Sequence, residues 1–172
     1  MFGNRGSRIA SKIISFMPAS RWHGAKRWLL RKIGGIEVGD HTTIVSGARF
    51  NGWNIHIGEH CHIGERAFIM APTAEAAIRI GNWCSFGPEI FMTTGGHDPT
   101  ISPDHDKNGI HLPITIEDRC GLAVRSIVMP GVVMHHHSQT MPGVVVSKNL
   151  KPYTTVSLAA NRSVCLDPDQ FQ

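Results

Sequence analysis

An all-β solenoid is the fold class this sequence predicts, on three observations. An aliphatic or methyl-bearing residue recurs at every sixth position over long stretches. A compact residue stands four places after most of them, and glycine directly follows several, in "VGD", "IGE", "IGE" and "IGN". A period of six matches neither the 3.6 of a helix nor the 2 of a simple strand. It does match short strands separated by regular corners, with large and small side chains alternating inside a narrow prism and each coil bonded to the next at roughly 4.8 Å.

The ladder justifies its elements in order. Val38, Ile44 and Phe50 form its first coil, with Thr42, Ala48 and Asn54 as compact partners. After a one-residue slip it resumes at Ile57, Ile63 and Ile69, with Cys61, Ala67 and Thr73. An irregular step leads to Ile80, Phe86 and Met92, paired with Cys84 and Ile90. The longest unbroken run is Ile116, Leu122, Val128, Met134, Thr140 and Val146, with Cys120, Ser126, Val132, Ser138 and Val144.

Ahead of the ladder, "RIASKIISFM" at 8–17 predicts a helix with Ile9, Ile13 and Phe16 on one face, opposite Arg8, Lys12 and Ser15. Pro18 ends it. Ser20 is the expected N-cap of a second helix over "RWHGAKRWLLRK", with Trp22, Ala25 and Leu29 as its stripe and Gly34-Gly35 as its close. These helices read as a lid over the first coil, whose edge would otherwise be unpaired. A peripheral membrane contact is the alternative. The domain boundaries follow: a helical cap at 1–35, a β-helix domain at 36–164 with a loop at 93–113, and a tail at 165–172.

Composition narrows the function classes. The 172-residue chain carries a formal charge of +4 and is 41% hydrophobic, with a pI of about 9.1. The charge is uneven. Eight basic residues fall in the first 32 positions and the first acidic residue is Glu37, so the remainder is mildly acidic. A nucleic-acid protein is excluded on that distribution, because backbone binding needs a broad basic surface with stacking aromatics. A phosphorylated ligand or an anionic membrane stays compatible. Cysteines 61, 84, 120 and 165 have no zinc-ribbon spacing and read as reduced and mostly buried. No apolar run is long enough for a span or a signal segment, so a cytoplasmic protein, in contact with the inner membrane at most peripherally, is the expectation.

Between Met92 and Ile114 the ladder is missing, and "TTGGHDPTISPDHDKNG" must leave the prism as a loop. His97 sits where that backbone is still anchored. A neutral imidazole can take a hydroxyl proton at physiological pH, so His97 is the candidate general base. Its other nitrogen needs an acceptor; Glu89, on the coil before the loop, and the adjacent Asp98 are the candidates, with Glu89 alternatively a contact to the acceptor substrate or a simple surface carboxylate. His105 and His111 read as solvent-exposed or substrate-lining loop residues, and Asp104 and Asp106 as turn caps. "HHH" at 135–137 is no metal site, since consecutive residues on an extended chain diverge. His56, His60 and His62 straddle one corner and are the better metal candidates, although outward-facing polar positions fit them better.

The repeat resembles that of the hexapeptide-repeat acyltransferases, over about residues 34 to 164. "GGHDP", "LPITIEDRCG", "VMPGVVM" and "VVVSKNLKPYTTVSLAANRSV" are similar to the sugar O-acetyltransferase branch, including enzymes of exopolysaccharide and lipopolysaccharide. The resemblance implies a left-handed helix, against the usual crossover preference, and a homotrimer with acetyl-CoA lying in the groove between subunits. Acetyl would pass directly to a sugar hydroxyl of a polysaccharide or glycolipid precursor, with His97 as base. By register the acetyl-CoA site is Gly121, Leu122, Ala123, Pro142, Gly143, Ser147 and Lys148, with Lys148 near the phosphates. Departures fall on the same coils. Gly121-Leu122-Ala123 stands where the family has Trp-Ile-Gly; Glu117, His135 and Met141 replace glycine. Arg162 replaces a proline and is the further candidate phosphate contact. Two alternatives stay open: a β-helix scaffold without catalysis, and a zinc hydratase of carbonic-anhydrase type.

Overall fold

The computed structural model describes residues 3–97, 109–158 and 163–165. Over them the chain winds as a left-handed parallel β-helix behind a short helical segment. Strands of two to four residues stack on three faces. Face A holds Glu37–Val38, Ile55–Ile57, Ile78–Ile80, Ile114–Ile116 and Val133–Met134. Face B holds Thr43–Ile44, His62–Ile63, Ser85–Phe86, Gly121–Leu122, Gln139–Thr140 and Thr154–Val156. Face C holds Arg49–Gly52, Phe68–Ala71, Phe91–Thr93, Ile127–Val128 and Val145–Val146. The chain visits A, B and C in turn. Ser163–Cys165 then runs back antiparallel beside Thr154–Val156, so the repeat does not continue in register to its end.

Every ladder residue from Val38 to Val146 points inward and is buried, Thr140 most exposed at 5%. Burying each large aliphatic is worth about 1.5–3 kcal/mol at most. The compact partners fill the corners between them. Among them Cys61, Cys84 and Cys120 are buried free thiols, and each donates to a carbonyl of the next coil: Gly81, Glu117 and His135, at 3.1 to 3.2 Å.

Two of the three corners are regular. At the corner from A to B, His41, His60, Trp83, Arg119, His137 and Tyr153 all adopt the left-handed conformation, with φ between 55° and 59°. At the corner from B to C the same position is held by Gly47, Arg66, Glu89, Arg125 and Gly143. Each lies three residues after an inward, buried residue. Left-handed backbone costs a non-glycine residue roughly 1–2 kcal/mol, and bonds between coils offset it. Trp83 N–H donates to the Glu59 carbonyl at 2.9 Å, and Glu89 N–H to that of Glu65 at 2.8 Å. The corner from C to A is irregular, and it carries the longer excursions.

The cap does the work of a lid through the opposite face from the one its apolar pattern suggests. Helix α1 (Gly3–Ser15) begins and ends earlier than 8–17. It buries Ser7, Ala10, Ser11 and Ile14, while Ile9, Ile13 and Phe16 stay 52%, 41% and 83% exposed. The reason is the unpaired edge beneath it. Ser11 Oγ accepts from Phe50 N–H at 2.8 Å and Ser7 Oγ from Gly52 N–H at 3.0 Å, standing in for a missing strand.

Helix α2 (His23–Leu29) treats the edge carbonyls in the same way. Buried Lys26 donates to Pro18, Ala19 and Ile44 carbonyls at 2.8 to 3.0 Å. Arg27 donates to Thr42 O at 2.9 Å and Arg31 to Val38 O at 2.6 Å. Three of the eight N-terminal cations are thereby spent on backbone. Left-handed Trp22 is the N-cap and no side chain caps this helix, so Ser20 is not the cap; Trp22 and Ala25 are exposed rather than packed. A π turn over Leu30–Gly34 follows, closed as expected by left-handed Gly35.

Candidate active site

The candidate base stands on the irregular corner. After Phe91–Thr93 the chain leaves face C as a hairpin, Gly95–His97 pairing antiparallel with Gly109–His111. Its register sets Gly95 opposite His111 and His97 opposite Gly109. The stem is tied to the prism: Thr94 N–H donates to Met70 O at 3.0 Å, and Leu112 N–H to Thr94 O at 2.9 Å. A Cβ at Gly95 would stand 3.3 Å from the His111 ring, which would have to shift by a few tenths of an ångström. The His97 side chain is exposed. It therefore sits at the end of a paired stem, rather than at the start of a loose loop. Residues 98–108, with Asp98, Asp104, His105 and Asp106, lie outside the described residues, as does Arg162.

Glu89 takes a different place from its suggested partner. It stands at the corner from B to C, across face C from the hairpin, and both its oxygens are engaged. Arg125 Nε donates to one at 2.7 Å and Arg66 to the other. The Arg125 hydrogen bond holds the carboxyl below the usual glutamate range, with the Arg66 charge assisting. Within one chain the pair that would orient His97 is thus not brought together through Glu89.

The expected acetyl-CoA segments divide between two edges. Gly121 and Ala123 reach the surface of face B, but the Leu122 side chain is 2% exposed and belongs to the core. Ala123 N–H is occupied by Thr140 Oγ at 3.0 Å. Pro142-Gly143 lies at the corner from B to C, where Gly143 is left-handed and Leu158 sits 3.4 Å from the place of its absent Cβ. Exposed Ser147 and Lys148 lie at the far end of face C, on the corner from C to A that also carries the His97 hairpin. Between the edges the outer surface of face C and its border are apolar, with Val124, Met141, Val145 and Leu158 each at least 37% exposed.

The other histidines are engaged separately. His56 pairs with Glu37 at 2.6 Å, and His62 bonds Thr43 at 2.8 Å. His60 is stacked between His41 and Trp83, with centroids 4.7 and 4.1 Å away. His135 bonds Glu117 at 2.9 Å, while His137 stacks on Tyr153 at 4.8 Å. No three His, Cys, Asp or Glu residues are grouped to hold a metal among the described residues. Burial pushes the Cys120 thiol up, and a hydrogen bond to Cys61 together with burial does the same to Cys84. Neither is a nucleophile. No described helix is long and apolar enough to cross a membrane.

Comparison with known proteins agrees with this architecture. The chain is similar to a hexapeptide-repeat-containing acetyltransferase from Vibrio cholerae, with a TM-score of 0.78, 23% identity, and coverage of 94% of this chain and 88% of that one. A maltose O-acetyltransferase from Clostridium difficile 630 superposes with a TM-score of 0.72 at 17% identity, covering 94% and 84%. A variant of a Bacillus cereus N-acyltransferase in complex with dTDP and coenzyme A gives 0.72 at 14%, covering 90% and 94%. At these identities they establish the fold. A Schizosaccharomyces pombe protein that carries an acetyltransferase name is 29% identical over 103 residues, 60% of this chain. The chain spans about half the length of that curated relative, 48%. No family model matches the chain.

Proposed function

We propose that this chain is an acetyl-CoA-dependent O-acetyltransferase whose acceptor is a sugar hydroxyl of a polysaccharide or glycolipid precursor. The observation that carries the reading is His97: an exposed imidazole on a paired stem, projecting from the irregular corner of a stiff prism. The shared fold with acetyltransferases supports it.

In the reaction, His97 takes the proton of the acceptor hydroxyl as its oxygen attacks the thioester carbonyl carbon. The tetrahedral oxyanion collapses, the carbon–sulfur bond breaks, and the departing sulfur receives the proton from the imidazolium. Atoms and charge balance without a protein nucleophile, and Cys61, Cys84 and Cys120 all lie buried in the prism. Asp98 is the remaining candidate to orient the ring; the engagement of Glu89 with two arginines argues for a supporting role at its own corner.

The site is completed by a second copy in a homotrimer. Gly121, Ala123, Pro142 and Gly143 lie across face C from His97, so one chain's hairpin would meet its neighbour's coils over the apolar border. Ser147, Lys148 and Arg162 supply hydrogen bonds and charge for the phosphates of the donor, and Leu122 contributes backbone alone.

The test is thiol release from acetyl-CoA against a panel of sugar acceptors. The native chain is expected to turn over, and His97→Ala to be slower by about 10²–10⁴. Equal rates would remove His97 from the chemistry. No release by a well-folded trimer would favour the scaffold reading.

A further inference from the structure

We infer that helix α1 docks this protein on the surface of an anionic phospholipid bilayer. The inference stands apart from the acetyltransferase reading and rests on how α1 divides its surface into three sectors. At about 100° per residue, Ser7, Ala10, Ser11 and Ile14 form one sector, buried on the first coil. Ile9 and Ile13, with Phe16 just past the helix end, form one half of the outward face, all exposed. Arg5, Arg8 and Lys12 form the other half beside them.

That cationic flank borders a cavity of about 690 Å³, closed on its other side by Arg49 and Phe68. Arg49 lies over the Phe68 ring at 4.7 Å, and no carboxylate among the described residues lines the cavity. An apolar crest beside a basic shoulder is the geometry of a helix lying in the membrane interface plane. The crest enters the acyl boundary while the cations stay at the level of the headgroup phosphates. Among the described residues no carboxylate pairs with an α1 cation. The edge carbonyls of the first coil are satisfied by Lys26, Arg27 and Arg31 instead.

Charge selects the partner. No acidic residue precedes Glu37, so pairing two α1 crests face to face would set like charges together, whereas an anionic bilayer complements them. Each basic residue near such a surface strengthens binding by roughly fivefold, and salt weakens the effect.

The experiment is co-sedimentation of the full chain with vesicles of phosphatidylcholine alone, or with about one quarter phosphatidylglycerol. Binding to the anionic vesicles, reduced by added salt, is expected. Joint replacement Ile13→Asp and Phe16→Asp is expected to weaken it at least about tenfold, and Arg8→Ala with Lys12→Ala by a similar factor. All four positions are exposed, and an unchanged melting curve checks that the fold is kept. Indifference of the native chain to both vesicles, or equal binding to both, would overturn the inference. So would a change in subunit number caused by the aspartate pair in a chain that does not sediment with vesicles, since the crest would then join copies of the protein.

Discussion

The prism has three corners built from one repeat, and they have diverged. The corners from A to B and from B to C keep one backbone, a left-handed residue in each coil, and differ in side chains. One is a stack of rings, His41, His60 and Trp83, resuming at His137 and Tyr153. The other is an ion ladder, Arg66–Glu89–Arg125. The corner from C to A keeps the six-residue step between Val128 and Met134, where Gly131 is left-handed, and elsewhere admits excursions, among them the His97 hairpin.

Substitutions at the three corners should then separate activity from stability. At the irregular corner, His97→Ala removes activity by the factor given above yet shifts stability by no more than about 0.5 kcal/mol, because the ring is exposed; a thermal melt checks it. A loss of fold would mean that this corner is structural after all.

Beside a regular corner the opposite holds. A Cβ at Gly64 would lie 2.4 Å from the Gly87 carbonyl oxygen of the next coil. Gly64→Ala is expected to cost about 1–3 kcal/mol, read as a lower denaturant midpoint at constant slope. A tolerated alanine would show that the coils can slide apart.

Trp83→Ala, at the ring corner, loses one face-to-face partner and should cost about 0.5–1.5 kcal/mol beyond lost area, with little response to salt. The smallest effect is expected at the ion ladder. The folded carboxyl of Glu89 titrates below its unfolded value, so its contribution is fully present above the ordinary glutamate value of about 4.3 and is lost as pH falls through the folded value. The melting temperatures of the native chain and Glu89→Gln should differ at neutral pH, converge in acid, and draw together in high salt. A difference that persists in acid would assign the effect to packing.

Much of this was legible in the residues. The same arithmetic that located the inward aliphatics places Arg66, Glu89 and Arg125 three positions beyond Ile63, Phe86 and Leu122, so the ladder of ions could have been read from it. His97 was legible as an interruption of period. What could not be read was the α1 orientation. Amphipathic pattern assigns the apolar side inward, but an open β edge wants donors and acceptors more than it wants methyl groups, and Ser7 and Ser11 met that need.

The repeat alone therefore determined the prism, its core and the place where the chain leaves it, because burial of one residue in six is a local, periodic demand. Tertiary structure decided which groups meet the open edge: Lys26 with its carbonyls, Ser7 and Ser11 with its amides. Those pairings depend on what an unpaired edge lacks, and that is not written in any single stretch of sequence.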